Sequence, residues 1–318
     1  MNDTITSMIS IVVPVFNEEE SLEAFYKELV SVIPSLDKNY EIIFVDDGSN
    51  DRSLNILKAF SSKNKNIKIF SFRKNQGKSE ALTYGFERSS GDYVVTLDAD
   101  LQDKPTEILK LLEKVKKEGF DLVSGWRKNR KDAFKHVMSS KIFNFLARTL
   151  WGIKLHDYNC GLKVYKAECA KSLELYGGLH RFIPILVYQQ GFGVAETPTI
   201  HQKRQFGKSK YGISKIWKDL PDMFTMFFLS KYGKRPMHFF GVIGFFLSFV
   251  GLIILLYLYL LIHTQGVSIT ERPLFFFGII SILGGFQILF TGFLADLIIN
   301  KSHKGKEEFF LKYSSEAE

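Results

Sequence analysis

The sequence predicts an α/β domain on a mostly parallel sheet, followed by an amphipathic helix and a two-helix membrane hairpin. Three observations carry this. Short apolar runs alternate with longer amphipathic ones from Ile9 to Trp126, as in a parallel sheet covered by helices on both faces. Charged residues are spread through Met1 to Arg235 but are nearly missing from Phe239 to Asn300, where Phe, Leu, Ile and Gly are dense. Acidic residues gather after the first, second and fourth apolar runs, the edge at which open α/β sheets bind ligands.

Taken in order, Ile9–Val15, Glu41–Val45, Ile67–Phe72, Tyr93–Asp98 and Leu122–Gly125 are β-branched or aromatic and too short for helices, so each reads as a strand. Helices are expected over Glu19–Ile33, Arg52–Ser61, Lys78–Ser89 and Thr106–Glu118, with Asn17, Asp51 and Lys104-Pro105 as start signals. After Trp126 the alternation loosens into a basic amphipathic stretch, Lys131–Leu150, and a strand over Gly193–Pro198 closes the sheet. The domain is expected to span residues 1–211.

Residues 212–235 are expected to form a juxtamembrane helix. Ile213, Ile216, Trp217, Leu220, Met223, Phe224 and Phe227 recur at helical spacing with lysines elsewhere. Such a face can pack on the α/β domain, but aromatics mixed with lysines just before a spanning run favour a helix lying in the interface. Phe239–Ile262 and Pro273–Ile299 each exceed the ~20 residues that cross hydrocarbon, and His263–Arg272 between them is too short for a domain. Residues 236–300 therefore form a hairpin and 301–318 a tail. Gly284, Gly285 and Gly292 let helices approach closely, within the hairpin or between copies in a homo-oligomer.

Charge places the chain in the cell. The 318 residues carry a net charge of +8, gathered at Lys208, Lys210, Lys215, Lys218, Lys231, Lys234 and Arg235 before the hairpin and at Lys301, His303, Lys304 and Lys306 after it. That distribution favours anionic headgroups of a lipid bilayer over nucleic acid. By the positive-inside rule both flanks and both termini are cytoplasmic. Cys160 and Cys169 make neither a disulfide framework nor a zinc site, which fits a reducing compartment. The N-terminus lacks a basic and apolar leader, so no cleaved signal is expected.

The acidic clusters carry the chemistry. Strand one ends in Pro14-Val15-Phe16-Asn17-Glu18-Glu19, strand two in Asp46-Asp47-Gly48-Ser49 and strand four in Asp98-Ala99-Asp100-Leu101-Gln102-Asp103. Asp98 and Asp100, two apart at the end of an extended strand, are expected to point the same way and to hold Mg2+ or Mn2+ through oxygen. Such an ion lets carboxylates face an anionic nucleotide sugar. Asp47 and Glu18 can accept hydrogen bonds from a base and ribose, while Asp46 can do the same or cap the next helix. Neither a P-loop nor a Gly-x-Gly-x-x-Gly fingerprint is present. Asn75-Gln76-Gly77-Lys78 is either a plain helix start or a loop that meets a phosphate through its amides.

Val12-Val13-Pro14-Val15-Phe16-Asn17-Glu18, Val45-Asp46-Asp47-Gly48-Ser49, Leu97-Asp98-Ala99-Asp100-Leu101-Gln102 and Arg204-Gln205-Phe206-Gly207-Lys208-Ser209-Lys210-Tyr211 together resemble family 2 glycosyltransferases with a GT-A (Rossmann-like) fold. The branch is the polyisoprenyl-phosphate glycosyltransferases, similar to dolichol-phosphate mannose synthase and to bacterial enzymes that make undecaprenyl-phosphate glucose. The resemblance implies that Asp98, Asp100 and Gln102 bind the metal and that Pro14, Asn17, Glu18 and Asp47 line the nucleotide site. It also implies that Arg204 and Lys210 close over the diphosphate. The acceptor, a lipid phosphate, needs cations too, and the family places them near Arg127, Arg130, Lys135, His136 and Ser140, although the spacing here departs from the mannose synthases. Asp157 looks like the family's candidate base. A phosphate monoester with a second pKa near ~6 needs little help at neutral pH, so orientation of the acceptor or sugar is the equal alternative.

The expected reaction is inverting transfer of a hexose, from UDP-glucose, to undecaprenyl phosphate at the cytoplasmic face of a bacterial inner membrane. A GDP-mannose-using enzyme is an alternative. A processive polysaccharide synthase shares the N-terminal fold, but Gln-x-x-Arg-Trp is missing and two spans are few for a polymer channel. A non-enzymatic alternative is a membrane anchor or scaffold whose acidic edge merely caps helices.

Overall fold

The computed structural model describes residues 7–36, 39–128, 144–145, 147–203, 224–228, 230–233, 235–265 and 272–302. The chain divides into two compact units, Met1–Met223 and Phe224–Glu318.

The first unit alternates strand and helix: β1 Ile9–Val15, α1 Leu22–Leu36, β2 Tyr40–Asp46, α2 Ser53–Lys63, β3 Ile67–Ser71, α3 Lys78–Arg88 and β4 Tyr93–Thr96. A 3-10 turn, Pro105–Glu107, runs into α4 Ile108–Glu118, followed by β5 Leu122–Trp126, β6 Lys163–Lys166 and α5 Ala167–Lys171. A second 3-10 turn, Leu179–Phe182, leads into α6 Ile183–Gln189 and then β7 Val194–Pro198. The strands form one seven-stranded sheet in the order β3-β2-β1-β4-β6-β5-β7. β6 pairs antiparallel with β4 and β5, whereas the other pairs are parallel. The expected mostly parallel sheet is found, with one reversed strand in its middle that periodicity does not reveal.

The centre of the sheet is buried on both faces, as continuous apolar strands require. Ile9, Ile11, Val12, Val13, Ile42, Ile43 and Phe44 are each fully buried. On the helices the spacing of Leu22, Phe25, Leu29, Val32 and Ile33 along α1, and of Ile108, Leu111, Leu112 and Val115 along α4, turns an apolar stripe to the core. Each such side chain contributes about 1.5–3 kcal/mol of burial. α4 stops at Gly119, whose φ of 78° ends the helix in the left-handed region.

One sequence expectation is corrected here. β4 ends at Thr96, so Asp98 and Asp100 lie on the turn beyond it, where Leu101 takes a φ of 59°. The alternation rule that was to align the two carboxylates does not apply to a turn.

The second unit holds α7 Pro236–Gln265 and α8 Pro273–Ser302. Both are long and apolar enough to cross a membrane, with mean hydropathies of 2.7 and 2.1 over their spanning stretches. Their glycines meet each other. A Cβ on Gly244 would lie 2.6 Å from the Gly285 carbonyl oxygen, one on Gly251 2.6 Å from that of Gly278, and one on Gly292 2.7 Å from Phe240 Cβ. Close approach within the hairpin is thus what Gly285 and Gly292 serve. Most of the expected interfacial helix lies outside the described residues.

Candidate active site

β1 and β2 end in register, Val15 opposite Asp46, so the loops that follow them are neighbours. The Asp47 amide donates to the Val15 carbonyl oxygen at 2.8 Å. Asn17 takes a φ of 53°, which asparagine tolerates better than most residues. Its amide donates to Ser49 Oγ at 2.9 Å and its Oδ1 accepts the Asn50 amide at 2.8 Å. The Glu18 amide donates to Ser53 Oγ at 2.9 Å, and Glu18 Oε2 accepts Ser21 Oγ at 3.0 Å. Pro14 lies beyond the β1–β4 ladder, which stops at Val12, so a residue without an N–H is tolerated there.

The two aspartates of the second loop are turned to different partners. Asp46 Oδ2 accepts the Ser71 hydroxyl at 2.7 Å and Oδ1 the Ser49 amide at 3.2 Å, so its carboxylate ties β2 to β3 and closes its own turn. Asp47 faces the N-terminus of α3, accepting Asn75 Nδ2 at 2.8 Å, the Gln76 amide at 2.6 Å and the Gly77 amide at 3.0 Å. Burial pushes its pKa up, and the two amides offset that only in part. Gln76 and Gly77 are therefore engaged by a carboxylate at the start of α3, which favours the plain helix start over the phosphate-meeting loop. Gly48, with a φ of 68°, leaves room for this packing, since a Cβ would lie 2.6 Å from the Lys74 carbonyl carbon.

The acidic turn after β4 is gripped by the same helix. Lys78 Nζ donates to Asp98 Oδ1 at 2.5 Å and Oδ2 at 2.7 Å. Burial would raise the Asp98 pKa, but the Lys78 ammonium overrides it and holds the carboxyl below its usual range. Gly161 backs the carboxylate closely: a Cβ there would lie 2.6 Å from Asp98 Oδ2. Asp100 Oδ1 accepts the Gln102 amide at 3.2 Å. The Gln102 carbonyl oxygen accepts the Gln202 amide at 2.8 Å, and the backbones of Asp103 and His201 pair in an isolated antiparallel β-bridge. Among the described residues no three His, Cys, Asp or Glu side chains are grouped to hold an ion by themselves. The oxygen donors of Asp98, Asp100 and Gln102 suit magnesium or manganese, which fill their remaining positions with water and phosphate.

On the other side of the sheet's centre stand Arg127 and Asp157. Arg127 Nε donates to Asp157 Oδ2 at 2.6 Å, and its Nη2 donates to Asp157 Oδ1 and to the Asn159 carbonyl oxygen at 3.0 Å each. Burial alone would lower the Arg127 pKa; the Asp157 charge reverses this and keeps the guanidinium cationic. Arg130, Lys135, His136, Ser140, Arg204 and Lys210 lie outside the described residues.

Three residues near this centre escape sequence reading. Lys78 lies in a segment that reads as a helix start, and its pairing with Asp98 across 20 positions has no local signal. Lys163 stands on the reversed strand between Thr96 and Ser124, is 3 % exposed and donates to the Cys160 carbonyl oxygen. His180 Nδ1 is 2.9 Å from Ser79 Oγ. Burial, aided by the Lys78 and Arg181 charges, pushes its pKa well down, so the ring is neutral.

Residues 10–173 match the family described as Glycosyl transferase family 2. A dodecaprenyl-phosphate galacturonate synthase from Rhizobium johnstonii is 36% identical over 302 residues, covering 93% of this chain and 89% of its own. An undecaprenyl-phosphate 4-deoxy-4-formamido-L-arabinose transferase from Edwardsiella ictaluri is 31% identical over 307 residues, covering 96% and 93%. Among solved structures, glucosyl-3-phosphoglycerate synthase from Mycobacterium tuberculosis in complex with Mn2+ and UDP-glucose aligns with a TM-score of 0.55. At 22% identity, over 71% of this chain and 79% of that one, this likeness bears on the GT-A fold. The family match spans the first six strands and all three acidic loops, and the likeness to relatives covers nearly the whole chain; the protein belongs to glycosyl transferase family 2 and is a glycosyltransferase.

Proposed function

We propose that this glycosyltransferase moves a hexose from a UDP-sugar to the phosphate of a polyprenyl lipid, undecaprenyl phosphate, at the cytoplasmic face of a bacterial inner membrane. The observation that carries the proposal is one chain joining an acidic turn at the sheet's ligand-binding edge to a pair of membrane-length apolar helices. The names of relatives matched over more than nine tenths of this chain support a polyprenyl phosphate acceptor. UDP-glucose is the donor expected from the sequence. UDP-galacturonate is the second reading, favoured by the relative at 36% identity.

The reaction is a direct displacement. An oxygen of the lipid phosphate forms a bond to the anomeric carbon as the bond from that carbon to the nucleotide diphosphate breaks, inverting configuration. Pro14, Asn17, Glu18 and Asp47 line the nucleotide, and Arg204 and Lys210 stabilise charge on the departing diphosphate. A divalent ion held by Asp98, Asp100 and Gln102 would supply further charge neutralisation there. Arg127 uses Nε and Nη2 to hold Asp157, which leaves Nη1 for the acceptor phosphate beside Arg130, Lys135, His136 and Ser140. Asp157, engaged through both oxygens, orients this group; a phosphate already deprotonated at neutral pH asks for no strong base.

The test uses full-length protein in nanodiscs with undecaprenyl phosphate and a panel of labelled UDP-glucose, UDP-galacturonate, UDP-N-acetylglucosamine and GDP-mannose. Lipid-linked sugar from one UDP-hexose, lost on chelation of divalent ions, is the expected result. Nucleotide release with no lipid product, or growth of a polymer, would refute the proposal.

A further inference from the structure

We propose that Lys78 is a donor-site residue that shares Asp98 with the divalent ion: its ammonium holds the carboxylate when no ion is bound and turns to the donor diphosphate when one is. This rests on reading Asp98 as a metal ligand.

The geometry makes the two cations rivals. Lys78 takes both Asp98 oxygens, at 2.5 and 2.7 Å, and Gly161 packs against the same carboxylate. An ion bound to Asp98 would need the oxygens that the ammonium now holds, and two cations on one carboxylate repel each other. The contact is also open. Both side chains are 32% exposed, so water and a ligand reach the pair.

The backbone around Lys78 is pinned while its side chain is long. On one side the Gln76 and Gly77 amides are bonded to Asp47. On the other, Ser79 Oγ donates to the Gly177 carbonyl oxygen at 2.7 Å and accepts the His180 amide at 3.1 Å, while Glu80 Oε1 accepts the Gly177 amide at 3.0 Å. The helix start therefore stays put, and exchange of partners is left to the four-carbon arm, which lysine presents as a compact and mobile charge. Displaced from Asp98, the ammonium gains the donor diphosphate as an anionic partner for the one it gives up.

The experiment measures Mn2+ binding by electron paramagnetic resonance on full-length protein in detergent without nucleotide, and UDP-glucose and UDP-galacturonate binding by calorimetry at saturating Mn2+. Lys78→Met is expected to bind Mn2+ about tenfold tighter and the nucleotide sugar about tenfold weaker, a coupling of ordinary size. Lys78→Arg, which keeps the charge, should leave Mn2+ affinity near that of the natural protein. Asp98→Asn should abolish Mn2+ binding; if it leaves binding intact, the metal-ligand reading fails. If Asp98→Asn abolishes binding while Lys78→Met leaves Mn2+ affinity unchanged or weaker, the Lys78 proposal is overturned and the metal site stands. A tightening by Lys78→Arg equal to that by Lys78→Met overturns it too, since the charge is then not the rival. Should Lys78→Met lack a cooperative melt, Lys78→Gln is read in its place.

Discussion

Arg127 and Asp157, 30 positions apart in sequence, face each other through two hydrogen bonds, Nε to Oδ2 at 2.6 Å and Nη2 to Oδ1 at 3.0 Å. The guanidinium is 11% exposed and the carboxylate 4%, so this is a nearly dry, charge-assisted pair. The expected acceptor cation and the expected base are thus one unit. Removing either member strands the other.

Arg127→Met should destabilise the protein by about 3–5 kcal/mol, the usual cost of a buried charge left alone. Asp157→Asn should cost less, because the amide still accepts one bond. The double variant should recover about 1–3 kcal/mol of the summed losses, as contacting residues do. Melting of the full chain in detergent measures this cycle. Additive losses would show that the pair is not coupled. A rate loss in Asp157→Asn that grows as the acceptor becomes less acidic would restore the role of base.

Lys163 sets a pH dependence of the opposite sign to a lysine that gains an ion-pair partner. Burial pushes its pKa down to about 8 from 10.5, against the opposing pull of Cys160, Asp157 and Asp98. Between those values the unfolded chain binds more protons than the folded one, so this residue's contribution to stability rises with pH. Its penalty is fully present below pH ~8 and is relieved above it. Relative to Lys163→Met, the natural protein should gain about 2 kcal/mol between pH ~7 and ~9.5, read from paired melts at the two values. Parallel curves would mean that the ammonium is solvated.

How much of this was legible in the sequence follows from which forces are local. β1, Ile9–Val15, was readable to the residue because a continuous apolar run has one use at that length. β6 was not: Lys-Val-Tyr-Lys is four residues with charged ends, and only its neighbours β4 and β5 make its first lysine a buried one. α6 begins at Ile183-Pro184 and is apolar along most of its length, with Ile183, Pro184, Ile185 and Val187 all buried, so no amphipathic period marks it. In the site, Asp47 and Asp98 announced themselves as acids after strands. Their partners, Gln76, Gly77 and Lys78, arrive through the pairing of elements remote in sequence, which no window of residues contains.

The hairpin glycines give a paired control. A Cβ on Gly285 would collide with Ser248 Oγ and approach the Gly244 carbonyl oxygen to 2.5 Å, whereas one on Gly284 would meet only Leu247 Cδ2 at 3.6 Å. Gly285→Val should therefore cost about 1–3 kcal/mol, as overpacking does, and Gly284→Val should be nearly neutral. The measurement is the thermal midpoint of each variant in detergent. Equal midpoints for the two would mean that α7 and α8 do not meet through this seam.

Gly161 joins the two halves of the site. It closes the segment Asp157-Tyr158-Asn159-Cys160-Gly161, which carries the Arg127 partner at its start and leaves no room for a Cβ beside Asp98 at its end. Its φ is not among the left-handed ones, so glycine is needed here for space. A Cβ would stand 2.6 Å from Asp98 Oδ2 and 2.8 Å from Cγ, distances that no carboxylate tolerates without moving. Asp98 is about one-third exposed and can move, so Gly161→Ala should change stability by less than about 1 kcal/mol. Turnover is a different matter. On the proposed role of Asp98 as a metal ligand, displacing its carboxylate by an ångström is expected to lower sugar transfer about a hundredfold and to raise the Mn2+ concentration needed for half-maximal rate. Initial rates across a Mn2+ titration decide it: an unchanged rate and an unchanged half-maximal concentration would show that Asp98 is free to do its work without the fit that Gly161 provides.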